Sequence, residues 1–300
     1  MFENIYGLSC VENQVLAILK ERGMDITDLY NDSAMPMKDL FFYLVQKGEK
    51  QENFAGLPRI QDVLKNIGLI SLKLRKQENI ENVRSAIRRG KENDYFLIRV
   101  TPEFTKSVLR ARGFRADHYV LVKKASAGFE MTNDIPPQKL TLAARELTPV
   151  YGGDYFKLTV KRSLDDDDRR CLWTARKYKP EKFEPTHYFI RDFDNIHDLV
   201  VRLRNLAGVL KLLRCRLAEY YGHYFNTDFI LEKLPAFEKH YAALEYFNLK
   251  RPGYAFEKCL DLFRHLNDMD TVIMLELKQR ILESKNPSLP FAETPEERRG

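Results

Sequence analysis

The apolar residues of this chain change their spacing about halfway along, and this change constrains the fold more than any other feature of the sequence. In the first half, stretches with helical spacing alternate with stretches in which every second residue is apolar, which is typical of strands. From residue 195 onward, apolar residues recur every three or four positions, which is typical of packed helices. The change falls between residues 163 and 190. The sequence therefore predicts an α+β first half and an all-α second half.

These patterns divide the chain into three predicted parts. A mixed helix and strand domain covers residues 1–165, and a helical cap or docking domain covers residues 190–285. Residues 286–300 contain three prolines and few apolar residues, so a flexible tail is expected. The acidic run from Asp165 to Asp168 lies at the junction of the domains. It is expected to be a solvated linker, because consecutive carboxylates rarely converge on one metal ion.

The composition excludes several classes of protein. Apolar residues make up 44% of the chain and charged residues 31%, which is typical of globular proteins. The four cysteines form no CxxC pair and the histidines lack ligand spacing, so neither a disulfide scaffold nor a metal site is predicted. No tightly bound cofactor is expected either, and the glycine-rich phosphate motifs that bind nucleotides are missing.

Charge and hydropathy bear on location and partners. The net charge of +6 is modest for 300 residues, so it does not predict a nucleic-acid partner. No apolar run approaches the roughly 18 residues that a membrane-spanning helix needs, and the first residues lack a signal-type apolar core. The sequence therefore predicts a cytoplasmic protein without a membrane partner.

The first half can be resolved into individual elements. Ser9 precedes a helical pattern that stops at Gly23, which predicts a helix over residues 10–22 with Cys10 at its start. The β-type runs His118–Lys123 and Gly128–Thr132 predict an antiparallel hairpin. Further helices are predicted over residues 38–47, 59–66 and 79–89, and further strands over residues 69–74, 95–100 and 155–162.

The predicted hairpin brings polar residues together. A turn centred near Ser126 and Ala127 places His118 opposite position 135 of the other strand. Asn133 and Asp134 then lie beside His118 in space. Either side chain is able to accept a hydrogen bond from the imidazole, and the hairpin geometry leaves the choice between them open.

Cys10 completes a set of residues that is suited to nucleophilic catalysis. Unpaired N–H groups and the dipole at a helix start favour the thiolate, so a lowered pKa is expected for Cys10. His118 would take the thiol proton, Asn133 or Asp134 would orient the imidazole, and the backbone N–H of Cys10 would stabilise an oxyanion. The alternatives are a buried structural cysteine and a strand histidine without a catalytic role.

Three stretches of the first 165 residues resemble a known family. They are Tyr6 to Cys10, Val83 to Gly90 leading into a strand, and Asp117 to Val122 followed by Met131 to Pro136. On these stretches the chain resembles papain-like cysteine enzymes of the C39-peptidase-like group, and most closely the butirosin biosynthesis protein H-like acyltransferases. The resemblance implies a papain-like fold with an antiparallel sheet and a cysteine that caps a helix.

The resemblance also implies roles for individual residues. Cys10 corresponds to the nucleophile, His118 to the base and Asp134 to the residue that orients the histidine. Asn4 lies six residues before Cys10, which is the position of the oxyanion-hole amide in papain-like enzymes.

The reaction that the resemblance implies is acyl transfer. An acyl group would move from a phosphopantetheine-linked thioester, on an acyl carrier protein or coenzyme A, to the amine or hydroxyl of a small-molecule acceptor through an acyl-enzyme. Such reactions belong to specialised-metabolite biosynthesis, including that of antibiotics. Two alternatives remain from the residues themselves: a cysteine peptidase or amidase with the same triad, and a non-catalytic scaffold with a degenerate papain-like fold.

One cluster of basic residues is a candidate docking surface for an acidic carrier protein. It consists of residues on a single predicted helix: Arg202, Arg204, Lys211, Arg214 and Arg216. A basic face would steer an acidic carrier toward the enzyme. The alternative is an ordinary solvated helix face.

Overall fold

The structure is a computed structural model that describes residues 1–110, 118–174, 196–250 and 255–284. The chain forms two compact units, and both are built from two segments of sequence. The first unit contains residues 1–26 and 58–168, and the second contains residues 27–57 and the chain from Arg169 onward. The fold class is α+β, with the sheet in the first unit and helices in the second.

The first unit is built on a six-stranded antiparallel sheet in the order β1-β6-β2-β3-β4-β5. Its strands are β1 (Ile70–Arg75), β2 (Asp94–Val100), β3 (His118–Ala125), β4 (Gly128–Asn133), β5 (Gln138–Leu142) and β6 (Tyr151–Val160). Its helices are α1 (Cys10–Glu21), α3 (Ile60–Asn66), α4 (Ile80–Arg89), α5 (Pro102–Ser107) and α6 (Leu147–Val150). A short 3-10 helix, Ala144–Glu146, precedes α6.

The hairpin of β3 and β4 has the predicted register. Leu121 pairs with Thr132 and Ala125 with Gly128, so continuing the ladder places His118 opposite Ile135. The strand β5 was not predicted from the sequence. It lies at the edge of the sheet, where its side chains alternate between exposed and half-buried and give only a weak apolar pattern.

One face of the sheet carries a continuous apolar core. Alternate residues of β2, β3 and β4 contribute to this core, together with buried residues of α4, α5 and α6. The helix α1 packs along β3. At the end of α1, Glu21 Oε2 lies 2.9 Å from Nζ of Lys123 in β3. The start of α1 is thereby held near the start of β3, since the two elements run side by side.

The second unit is helical. It contains α2 (Met37–Leu40) with the π-helix Phe41–Gln46, α8 (Ile196–Tyr221), α9 (Asp228–Leu231), α10 (Leu234–Lys250) and α11 (Ala255–Glu283), together with the 3-10 helices Thr27–Ser33 and Gln51–Asn53. The helix α7 (Asp166–Thr174) begins at the end of the first unit and continues into the second. Within the described ranges, none of the helices combines the length and the apolar character that a bilayer crossing requires.

The boundary between the predicted domains needs one correction. Residues 27–57 were expected in the first domain, but they belong to the second unit. The buried Arg214 of α8 explains this, because its guanidinium donates to Ser33 O at 3.0 Å and to Met35 O at 2.9 Å. Arg202 of the same helix donates to Val45 O at 2.7 Å. The predicted tail, residues 286–300, lies outside the described residues.

Candidate active site

The first turn of α1 is anchored by its own polar side chains. Ser9 caps the helix, and its hydroxyl accepts a hydrogen bond from the N–H of Glu12. The buried carboxylate of Glu12 accepts from the N–H of Leu8 at 2.5 Å and from the N–H of Ile60 at 2.9 Å. The helix start is therefore tied both to the chain before it and to α3, which fixes the position of Cys10.

Cys10 is the first residue of α1 and is half-buried. Three backbone N–H groups act on its sulfur as hydrogen-bond donors, and these belong to Cys10 itself, Val11 and Tyr119. Because Tyr119 follows His118 directly in β3, the thiol lies against the strand that carries the predicted base. The helix start and the histidine strand, which are far apart in the sequence, are thus brought together as predicted.

The predicted low pKa of the thiol is wrong. Burial, and after it the carboxylate of Asp134, raise the pKa of Cys10 to about 12. The three N–H donors lower the pKa, as expected for a helix start, but their effect is smaller. Cys10 is therefore a neutral thiol at pH 7, and a reaction in which it is the nucleophile would require a base.

His118 is held by Asn133. The imidazole is buried, and its Nε2 lies 2.6 Å from Asn133 Oδ1. The Asn133 amide is oriented in turn, because its Nδ2 donates to Pro136 O at 2.8 Å. An amide oxygen only accepts, so Nε2 carries a proton, and in the neutral form of the ring the lone pair lies on Nδ1. Nδ1 is therefore the nitrogen that is able to act as a base.

Asp134 lies beside this pair without replacing Asn133. Its Oδ1 is 3.7 Å from His118 Nε2, beyond hydrogen-bond distance, and its Oδ2 accepts from Asn13 Nδ2 at 2.9 Å. Burial outweighs the Asn13 amide and the charge of His118, both of which act to lower the value, so the pKa of Asp134 is raised above its ordinary value. The resemblance implied Asp134 as the orienting residue, but in the structure Asn133 makes the hydrogen bond and Asp134 acts on the imidazole by charge alone.

The position of Asn4 does not suit the oxyanion role that the resemblance implied. Its side chain is exposed, and the Tyr6 hydroxyl donates to its Oδ1 at 3.5 Å. An oxyanion donor is effective where water is excluded. The backbone N–H groups of Cys10 and Val11 at the start of α1 lie within hydrogen-bonding reach of the Cys10 sulfur, so they are the donors beside an oxyanion that would form on a Cys10 adduct.

The predicted docking surface on α8 is wrong for two of its five residues. Arg214 is completely buried and paired with Asp270, with 2.5 Å between Nε and Oδ1. Arg216 is also buried, and its guanidinium lies 5.3 Å from the centre of the Tyr30 ring. These positions face the interior because α8 packs on the segment of residues 27–57.

The other three basic residues of the cluster are neutralised by nearby carboxylates. Arg202 pairs with Asp198 at 2.6 Å, Arg204 with Glu245, and Lys211 with Glu238. An acidic carrier would have to displace these carboxylates in order to bind. The cluster therefore does not form the basic face that the sequence predicted.

Two residues at this site were not identified from the sequence. Glu12 and Asn13 are both buried, and both bind backbone N–H groups near the start of α1. The pattern Ser9-Cys10-Val11-Glu12 is that of a capping box, a signal that identifies Glu12 as part of the helix start. The role of Asn13 depends on Asp134, which is distant in the sequence, so no local pattern reveals it.

The described part of the chain holds no cluster of three or more histidine, cysteine or acidic side chains that could bind a metal ion. All four cysteines lie in this part, and none of them forms a disulfide. Comparison with known proteins adds no relative: no protein-family model, no curated protein and no solved structure matches the chain.

The raised thiol pKa leads to a measurable pH dependence. We expect the alkylation of Cys10 by iodoacetamide to accelerate about tenfold per pH unit between pH 7 and 10, because only the thiolate reacts. The rate is measured by mass spectrometry of the peptide that contains Cys10. A plateau reached below pH 8 would contradict this expectation, since a stable thiolate–imidazolium pair gives such a plateau.

Proposed function

We propose that this protein is a cysteine-dependent acyltransferase with a papain-like catalytic arrangement. It would move an acyl group from a thioester to an amine or hydroxyl acceptor, with Cys10 as the nucleophile and His118 as the base. The observation that carries the proposal is the meeting of the Cys10 thiol with the start of β3, where Asn133 fixes the proton of His118 on Nε2. This arrangement supplies a nucleophile, a base and an orienting residue.

The first half of the reaction forms an acyl-enzyme. His118 Nδ1 takes the thiol proton while the Cys10 sulfur attacks the carbonyl carbon of the donor thioester. The N–H groups of Cys10 and Val11 stabilise the oxyanion. When the tetrahedral intermediate collapses, the bond to the donor sulfur breaks, and the leaving thiolate takes the proton from the imidazolium. Cys10 then carries the acyl group, and the donor leaves as a thiol.

The second half of the reaction returns the enzyme to its starting state. The acceptor amine attacks the Cys10 thioester, and His118 Nδ1 takes the amine proton. The Cys10 sulfur leaves as a thiolate and receives that proton, so the product is an amide and the thiol is restored. Water in place of the amine would give hydrolysis, which is the reaction of the peptidase or amidase alternative.

A thioester donor suits the protonation state of this site. The resting thiol is neutral, because its pKa is raised to about 12, so the attack depends on proton transfer to His118. Exchange of one thioester for another changes the bond energy little, and a thiolate is a better leaving group than an amine. The site then has to supply mainly positioning, a base and an oxyanion site.

The nature of the donor and the biological setting rest on the resemblance to the butirosin biosynthesis protein H-like acyltransferases. That resemblance favours a phosphopantetheine-linked donor on an acyl carrier protein and a role in specialised-metabolite biosynthesis. The ion pairs on α8 contribute no argument for carrier docking. Small thioesters are consequently the first donors to test, with carrier-bound donors as the second set.

The decisive experiment is to divert the acyl-enzyme with an amine. The protein is incubated with acyl-coenzyme A thioesters and acylated carrier proteins, and its intact mass is recorded before and after an amine is added. We expect an acyl adduct on Cys10 that the amine removes as an amide faster than water removes it. An adduct consumed by water alone would favour the hydrolase. Absence of an adduct with all donors would overturn the proposal.

Replacement of the base gives a matched comparison. His118→Ala is expected to slow adduct formation about 10²- to 10⁴-fold, because the neutral thiol loses its proton acceptor. His223 is exposed in the second unit, so His223→Ala should leave the rate unchanged. Equal rates for the two variants would show that His118 is not the base.

A further inference from the structure

Asn13 is a buried residue of α1 that the proposed reaction does not use. It lies three positions after Cys10, and only 7% of its surface is exposed. Its Oδ1 accepts a hydrogen bond from the N–H of Gly7 at 2.7 Å, and its Nδ2 donates to Asp134 Oδ2 at 2.9 Å. One side chain thus joins the chain before Cys10, the nucleophile helix and the residue that follows β4.

The two contacts fix the orientation of the Asn13 amide. The Gly7 N–H is only a donor and a carboxylate oxygen of Asp134 is an acceptor, so the amide oxygen and nitrogen cannot exchange places. The backbone of Gly7 also lies very close to the Asn13 side chain. A Cβ atom at Gly7 would lie 2.5 Å from Asn13 Oδ1, so a larger residue would push the amide out of place.

Asn13 supplies the side-chain hydrogen bond that holds the Asp134 carboxylate, which also accepts from the backbone N–H groups of Asp134 and Ile135. Asn13 binds Oδ2, and the other oxygen, Oδ1, then lies 3.7 Å from His118 Nε2. Nε2 already donates to Asn133, so the carboxylate acts on the ring through its charge. The titratable groups that face this carboxylate are Cys10 on α1 and His118 on β3. The carboxylate therefore affects both partners of the proton transfer.

We propose that Asn13 is a positioning residue of the active site, which holds the Asp134 carboxylate where it stabilises the imidazolium that forms when His118 takes the thiol proton. This inference rests on the proposed acyl transfer for its role in the reaction. The tie between Asn13 and Asp134 has an independent consequence, because the same carboxylate opposes ionisation of the Cys10 thiol. It can be tested without any substrate.

The test is a double-mutant cycle on the alkylation of Cys10 by iodoacetamide at pH 8. Asp134→Asn removes the negative charge and is expected to raise the rate about tenfold. Asn13→Ala removes the side-chain donor to the carboxylate and is expected to raise the rate about threefold. In the Asp134→Asn background, Asn13→Ala should change the rate less than about twofold, because no charge remains to be positioned. If the two substitutions act independently, so that their rate factors multiply in the double variant, the proposal is wrong.

Acylation by a thioester donor provides the second readout. Asn13→Ala is expected to slow adduct formation about tenfold while alkylation becomes faster, a combination that simple loosening of the helix does not produce. Asn13→Ser, whose hydroxyl is too short to reach Asp134, should behave like Asn13→Ala and serves if the alanine variant does not fold. Unchanged acylation in a folded variant contradicts the positioning role.

The two proposals fail in distinguishable ways. If no donor acylates the wild-type protein, the proposed function fails, but the alkylation cycle still decides whether Asn13 controls Asp134. If acylation occurs and the cycle shows independent effects, the function stands and the positioning role is wrong.

Discussion

Replacing Cys10 by alanine is expected to abolish the acyl-enzyme and to lower turnover by at least about 10⁴-fold, since the reaction loses the atom that carries the acyl group. The backbone N–H groups of Val11 and Tyr119 donate hydrogen bonds to this thiol. They are not nucleophiles, so they cannot carry the acyl group in its absence. Intact mass after incubation with a thioester donor measures the adduct directly, and circular dichroism checks that the fold is retained.

Cys171 provides the control for this experiment. It forms no disulfide and is exposed, so a donor that reacts with thiols without selection would label it readily. Cys171→Ala is expected to leave both adduct formation and turnover unchanged. If activity survives in Cys10→Ala but falls in Cys171→Ala, Cys171 is the nucleophile and the proposed site at Cys10 is wrong.

The largest effect on stability is expected at the buried ion pair of the second unit. Arg214 and Asp270 are both completely buried, and the guanidinium also holds Ser33 O and Met35 O. Asp270→Ala leaves a buried charge without its partner and should lower the free energy of unfolding by about 3–5 kcal/mol. Urea unfolding followed by circular dichroism measures the loss.

Two further variants separate charge from packing at this pair. Arg214→Met combined with Asp270→Leu is expected to be more stable than either single variant, because no unpaired charge stays buried. The pair of Arg264 and Asp261 on α11 is the matched control, since both side chains are about 60% exposed. Arg264→Met should cost less than about 1 kcal/mol. A similarly small loss for Asp270→Ala would show that the buried pair is not critical.

The sequence predicts best those features that local rules determine. The helix that begins at Cys10 was predicted from Ser9 and the apolar spacing, and the structure confirms it as α1. The hairpin was predicted from its turn, and the observed pairing of Ala125 with Gly128 confirms the register. Register is transmitted along a hairpin by period-two pairing, so a correct turn is enough to bring His118 next to Asn133.

The features that the sequence did not predict depend on distant residues. The thiol pKa was expected to fall because the rule for helix starts considers only local N–H groups, whereas burial and Asp134 decide it. Arg214 was read as a surface charge because five basic residues lie close together on one helix. Its partners Ser33 and Asp270 are far away in the sequence, and a helical pattern alone does not show which charge faces the interior.

The interleaving of the two units along the chain has a consequence for how the protein is made. Residues 27–57 leave the ribosome early, shortly after helix α1, but their partner α8 follows much later; the hydrogen bond from Arg214 to Ser33 O spans 181 positions. During synthesis the buried side chains of this segment remain without their partners on α8 until more than two thirds of the chain has been made, and such delayed, long-range pairing makes folding slow and vulnerable to aggregation. The helix that begins at Cys10 is thus followed closely by a segment whose packing partner on α8 is synthesised much later.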